Sequence, residues 1–118
     1  MGEVRATLGI WAADGSHVEN VSMQVDTGAS YSQLPDKTLR DLGWIPTFTD
    51  APADLADGTQ STVALGEVRI RYDGQDITRL FLFGEEGCPK LLGSDTLQGL
   101  RLGVDPVNHR LMDLRIYR

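Results

Sequence analysis

Gln24-Val25-Asp26-Thr27-Gly28-Ala29-Ser30 is the stretch whose reading decides the fold. An apolar stretch delivers one carboxylate, Asp26, to the start of a Thr-Gly-Ala turn. A lone aspartate before a turn has two uses. It can cap the turn with its side-chain oxygen, as aspartates commonly do, or it can serve acid–base chemistry, which needs a base and an acid together. The Asp-Thr-Gly triplet occurs once in the 118 residues. If Asp26 works as half of a carboxylate pair sharing one proton, the other half has to come from a second copy of the chain, and activity and oligomeric state become one question.

Working outward, the chain reads as short β-rich segments punctuated by turns. Residues 3 to 12 and 17 to 25 flank Asp14-Gly15, a dipeptide favoured in tight hairpins because both residues tolerate positive φ. A second pair, Asp57-Gly58, separates Leu55-Ala56 from Thr59 to Val63 and predicts an exposed hairpin with a small polar tip. A third, Asp73-Gly74, joins the alternating strand Val68 to Tyr72 to a strand from Ile77 to Phe83. Pro35 to Gly43 predicts a short helix, with Pro near its start and Gly beyond its end. Trp44 to Phe48 predicts a strand, and the Pro- and Asp-bearing stretch from Thr49 to Asp54 predicts irregular chain. After Leu91-Leu92-Gly93, Ser94 or Asp95 is expected to cap a second short helix. Strands over Arg101 to Val104 and His109 to Tyr117, joined by a turn at Asp105 to Asn108, complete the chain. Three hairpins in so short a chain predict an all-β barrel or sandwich.

Composition removes competing functions. At 12.9 kDa, with 41% hydrophobic and 24% charged residues, the chain has the size of one domain, residues 1 to 118, around one core. A net charge of -6 and a sequence pI near 4.7 argue against nucleic acid as a partner, since phosphate binding needs clustered Lys and Arg. No apolar run reaches the roughly 20 residues that span a bilayer. The start, Met1 to Arg5, lacks a secretory pattern, and Ala6 stands where myristoylation wants Ser or Thr. Neither membrane association nor secretion is expected, and the expected location is cytoplasmic. Cys88 is the single cysteine, so no disulfide forms within the chain and a reducing compartment suits it. With only His17 and His109 beside it, no metal site is expected. No glycine-rich phosphate signature occurs, and no cofactor is expected. Asp14, Asp57 and Asp73 are read as turn residues, Trp11 and Trp44 as core or interface aromatics, and Glu85-Glu86 as a solvated loop.

Taken together these residues resemble the retropepsin-like aspartic peptidases. Val25-Asp26-Thr27-Gly28-Ala29-Ser30 matches the family's active-site loop, and Leu91-Leu92-Gly93, roughly 65 residues later, resembles its apolar-apolar-Gly motif followed by a helix. The hairpin at Asp57-Gly58 occupies the place of the family's flap. Leu102 to Pro106 and Arg110 to Met112 resemble the tail of its cellular and bacterial members. The resemblance implies a single-lobe acid-protease barrel with a flap hairpin and one or two short helices. It also implies a homodimeric endopeptidase acting on peptide or protein substrates. Asp26 is then the catalytic aspartate, with Thr27, Gly28 and Ala29 forming its loop. Ser30, Asp57, Gly58 and Leu91 touch substrate, and Leu92 and Gly93 support the site. The alternative implied by the same resemblance is a catalytically silent dimerisation or peptide-binding module. Ser30-Tyr31-Ser32 departs from the acidic residues that viral members often carry there, so subsite preference does not transfer. Met1 to Leu8 and Leu111 to Tyr117 could supply terminal interface strands.

Overall fold

The computed structural model describes residues 3 to 115. Among the described residues nine strands and two short helices run in the order β1 (Arg5–Trp11), β2 (Val18–Val25), β3 (Ser32–Pro35), α1 (Asp36–Asp41), β4 (Phe48–Asp54), β5 (Gln60–Tyr72), β6 (Gln75–Gly84), β7 (Leu91–Leu92), α2 (Ser94–Gly99), β8 (Leu102–Asp105) and β9 (Arg110–Asp113). Seven of the strands form one sheet ordered β1-β2-β7-β3-β6-β5-β4, and a further β1–β5 pairing at Gly9↔Arg71 and Ile10↔Ile70 closes six of them into a barrel. Strands β8 and β9 pair only with each other among the described residues.

Alternation puts one face of each barrel strand inward. Leu8 and Ile10 of β1, Met23 of β2, Leu34 of β3, Val68 and Ile70 of β5 and Phe81 of β6 are all fully buried. Helices α1 and α2 add Leu39 and Leu97 to the same core. This burial of apolar surface is the main favourable term holding so small a chain together.

All three expected hairpins form. Only at Asp73-Gly74 are both φ angles positive, 49° and 76°, the condition for a two-residue turn that matches strand twist. Asp14-Gly15 and Asp57-Gly58 instead sit in longer loops closed by Ala12 N–H to His17 O and Leu55 N–H to Thr59 O, both with positive φ at glycine alone.

Several boundaries differ from the sequence reading for definite reasons. Trp44 to Thr47 is not a strand: the Trp44 indole N–H donates to Trp11 O at 2.7 Å, and the Trp44 backbone N–H turns back to Leu39 O. The stretch expected to be irregular is instead β4, Pro52 included. It is the outermost strand of the sheet, where a missing N–H costs no ladder bond, and a register shift between Phe48 and Ala51 absorbs the misfit. Strand β5 runs unbroken through Gly66, where a Cβ would come within 2.7 Å of the Phe83 ring; the glycine makes room for Phe83. Strands β3 and β7, absent from the sequence reading, are short segments between other elements. The last strand ends at Asp113; Ile116 and Tyr117 lie outside the described residues. No helix among the described residues is long and apolar enough to cross a membrane.

Candidate active site

Two chain segments more than 60 residues apart meet at the end of β2. Strand β7 lies parallel to β2 in the register Gln24↔Leu91 and Val25↔Leu92, and antiparallel to β3 at Gln33↔Leu91. Asp26 follows Val25 directly, and its backbone N–H donates to Leu92 O at 2.9 Å. The chain then turns tightly, with Ala29 N–H donating to Asp26 O at 3.1 Å and Gly28 N–H donating to the Asp26 carboxylate Oδ1 at 2.9 Å. The carboxylate is thus held by its own loop while the residue stays half-buried. A carboxylate that accepts a backbone N–H is fixed in direction. Thr27 and Gly28 are exposed beside it.

Helix α2 is built into the same loop. The expected side-chain cap at Ser94 or Asp95 is absent. Gly93 occupies the cap position, and the free N–H groups of Ser94 and Asp95 donate instead to Ala29 O at 2.8 Å and Ser30 O at 2.9 Å. The loop carbonyls therefore satisfy the helix start, which is why no side chain is needed there. Gly93 is buried, and a Cβ on it would lie 2.5 Å from Tyr31 C and 2.9 Å from Ala29 O. Only glycine fits this crossing. Below it, Gly93 N–H donates to Ser32 Oγ at 3.0 Å, and Ser32 Oγ lies 2.6 Å from Thr96 Oγ1, both hydroxyls fully buried.

Beside this loop lies a cleft of about 910 Å³. It runs under the β4–β5 hairpin and is lined by Ser30, Tyr31, Val63, Leu82, Cys88 and Pro89 among others. Of the residues predicted to touch substrate, Ser30 lines it. Leu91, Asp57 and Gly58 do not: Leu91 sits between β2 and β3, and Asp57-Gly58 forms the exposed hairpin tip, where Asp57 Oδ1 accepts Thr59 N–H at 2.9 Å and Thr59 Oγ1–H at 2.6 Å. Those bonds, the hydroxyl first, lower the Asp57 carboxyl below its ordinary range. The structure therefore unites Asp26 to Ser30 with Leu91 to Gly93, and sets the Asp57 tip apart on its hairpin.

Sequence reasoning missed Ser32 and Thr96. The available signal was the spacing Ser32, Leu34, which places a hydroxyl on the inward face of β3. It also left out Tyr31 and Cys88 as cleft residues. Burial, and then the negative charge of Glu85, push the Cys88 thiol up, so it stays protonated. Among the described residues no group of three or more His, Cys, Asp or Glu gathers where a metal ion could be held.

No family model and no curated protein matches the chain. Solved structures do. The chain is similar to the EIAV protease complexed with the inhibitor HBY-793, at 20% identity over 84% of this chain and 88% of that one, with a TM-score of 0.59. It is similar to the retroviral protease-like domain of Ddi1 from Leishmania major, at 16% identity over 98% and 91% of the two chains, with a TM-score of 0.64. A retropepsin-like aspartic protease from Rickettsia conorii matches at 18% identity over 89% and 90%, with a TM-score of 0.52.

Proposed function

We propose that this chain of retropepsin-like fold is an aspartic endopeptidase of one domain that acts as a homodimer, with Asp26 of each copy forming the catalytic dyad. The observation that carries the reading is the Asp26-Thr27-Gly28 turn, held against Leu92 and Gly93 with its carboxylate fixed by Gly28 N–H. Two such carboxyls across a symmetry axis cannot both ionise cheaply, so they share a proton and titrate as a unit. The ionised carboxylate takes a proton from a water between them as that water attacks the scissile carbonyl. The protonated partner gives its proton to the carbonyl oxygen, and the tetrahedral intermediate then collapses with proton transfer to the leaving amine. Thr27, exposed beside Asp26, supplies a hydroxyl for the partner loop, and Gly28 lets that loop approach the substrate backbone. Ala29 and Ser30 flank the peptide, Leu91 backs an apolar subsite, Leu92 and Gly93 brace the loop, and the hairpin tipped by Asp57-Gly58 closes as a flap to exclude water.

The second copy has a surface to meet. Strand β1 is paired to β2 from Arg5 to Trp11 and to β5 at Gly9 and Ile10, whereas the β8–β9 hairpin exposes Met112 on β9, Val107 in its turn and Leu114 just beyond its end. In this reading the dimer joins there and brings a second Asp26 to the site.

The test is cleavage of a peptide library by wild type and Asp26→Asn. The variant is expected to lose about 10²–10⁴-fold or more in rate, the range general acid–base catalysis contributes, and a statine-type transition-state mimic should inhibit the wild type. Undiminished cleavage by Asp26→Asn rules the mechanism out. A silent peptide-binding or dimerisation module is the second reading. It is favoured by the similarity to a structure described as a protease-like domain, and is supported by peptide binding without turnover at any pH.

A further inference from the structure

The cleft carries charge of one sign. Its lining is mostly apolar, with Ala64, Leu65, Leu82 and Phe83 among the contributors, yet it includes two carboxylates, Asp54 from the β4–β5 hairpin and Glu85 from the loop after β6, and no Lys, Arg or His. Neither carboxylate is engaged in an ion pair or side-chain hydrogen bond among the described residues, whereas Asp36, Asp41 and Asp76 are each paired with a Lys or Arg. The bias extends beyond the rim. Residues 48 to 68, from the start of β4 to the middle of β5, contain four acidic residues, Asp50, Asp54, Asp57 and Glu67, and no basic or histidine residue, the first arginines of β5 being Arg69 and Arg71.

A cleft with low-dielectric walls concentrates the field of such charges and raises the local concentration of oppositely charged ligands. We infer that the cleft selects extended peptides with an apolar centre flanked by Lys or Arg, and that Asp54 and Glu85 are the residues that set this preference. The inference rests on the reading of the cleft as a peptide site. The apolar walls take the central side chains. Asp54 and Glu85 then meet the flanking ammonium or guanidinium groups, a guanidinium bridging both oxygens of a carboxylate. Tyr31, exposed and also lining the cleft, supplies an aromatic ring that a cation can pack on. An acidic flank is repelled by the same two groups, so the discrimination has both an attractive and a repulsive part.

The experiment uses the full chain with Asp26→Asn, so that binding is read without cleavage. Three fluorescent peptides share an apolar centre and carry Lys, Gln or Glu on both sides of it. Anisotropy titrations are expected to order the Kd values Lys below Gln below Glu, with a Glu-to-Lys ratio of about tenfold at low salt that shrinks as salt screens the exposed pairs. Asp54→Asn with Glu85→Gln should bring the ratio within about twofold, a small residue of the long-range field. Asp54→Lys with Glu85→Lys should invert the order. Equal Kd values for the three peptides, no binding of any of them, or an order unchanged in both double variants overturns the inference. Cleavage of the Gln peptide by the wild-type chain is a separate readout: its absence counts against proteolysis and leaves the order of Kd values standing on its own.

Discussion

Ser32 Oγ and Thr96 Oγ1 lie 2.6 Å apart with both residues fully buried, a hydroxyl pair that bonds strand β3 to helix α2 directly beneath the Asp26 loop. Ser32 Oγ also accepts Gly93 N–H, so one side chain serves the three segments that frame the site. In an apolar interior such a pair is worth most for what its loss leaves unpaired.

Replacing Ser32 by Ala orphans Gly93 N–H and the Thr96 hydroxyl at once. The expected cost is about 1–3 kcal/mol, read from urea unfolding. Ser32→Ala with Thr96→Val should cost less than the two single changes added, because the hydroxyls depend on each other. Strict additivity would show that the pair is not coupled.

Gly93→Ala should be the most damaging single-methyl change near the site. Its Cβ would stand 2.5 Å from Tyr31 C and 2.6 Å from Tyr31 O, backbone atoms with no rotamer to yield. Overpacking of this kind costs about 1–3 kcal/mol or more, and relief requires α2 to move off the loop. Thermal melts and peptide cleavage should fall together; a variant of unchanged melting temperature contradicts the packing.

One source of acid sensitivity is expected outside the site. The Arg71 guanidinium, bonded to both carboxylate oxygens, and then the Trp11 indole N–H lower Asp76 from 3.8 to about 2, while Arg71 stacks 4.7 Å from the Trp11 ring centre. Since the folded value is the depressed one, this contribution is fully present above about pH 4 and is lost as pH falls toward 2. Asp76→Asn should therefore flatten the pH dependence of unfolding in that window and leave its shape at neutral pH unchanged. An identical acid limb in the variant removes Asp76 as the cause.

At the hairpin tip, Asp57→Ala removes the acceptor for both Thr59 groups. The tip is exposed, so global stability should change by only about 0.5 kcal/mol. If the hairpin closes over substrate, kcat/KM should drop several-fold while the unfolding midpoint holds. Equal activity in the variant would separate tip order from turnover.

Met112 is 44% exposed on β9, in the two-stranded sheet that packs Leu102 and Leu111 on the core but shares no ladder with the seven-stranded sheet. If the proposed homodimer joins through this sheet, Met112→Asp should raise its dissociation constant at least about tenfold in sedimentation, through a charge placed in an apolar contact, and activity should become correspondingly dependent on protein concentration. A dimer of unaltered strength would move the interface elsewhere.

How much was legible depended on whether the signal was local. The three hairpins were readable because Asp-Gly pairs between alternating segments report turn chemistry within a few residues. Helices α1 and α2 were readable from Pro35, Gly43 and the residues after Gly93. The strand at Phe48–Asp54 was not, because Pro52 argues against a strand everywhere except at a sheet edge, and edge position belongs to the assembled sheet. The two-residue β7 escaped for the same reason: Leu91-Leu92 is a strand only because β2 and β3 lie on either side of it. Glu85 was legible as a solvated loop residue, and only the fold put it on the wall of the cleft.

The sequence by itself determined that Asp26 begins a Thr-Gly-Ala turn, that the triplet occurs once, and that the chain is all-β, since periodicity and turn preference are properties of neighbouring residues. The tertiary structure alone decided what holds that turn. The carbonyls of Ala29 and Ser30 cap α2, Leu92 O receives Asp26 N–H, and the Ser32–Thr96 pair sits beneath Gly93. Each of these bonds joins residues more than 60 positions apart, and hydrogen-bond donors and acceptors carry no mark in the sequence of the partner they will meet.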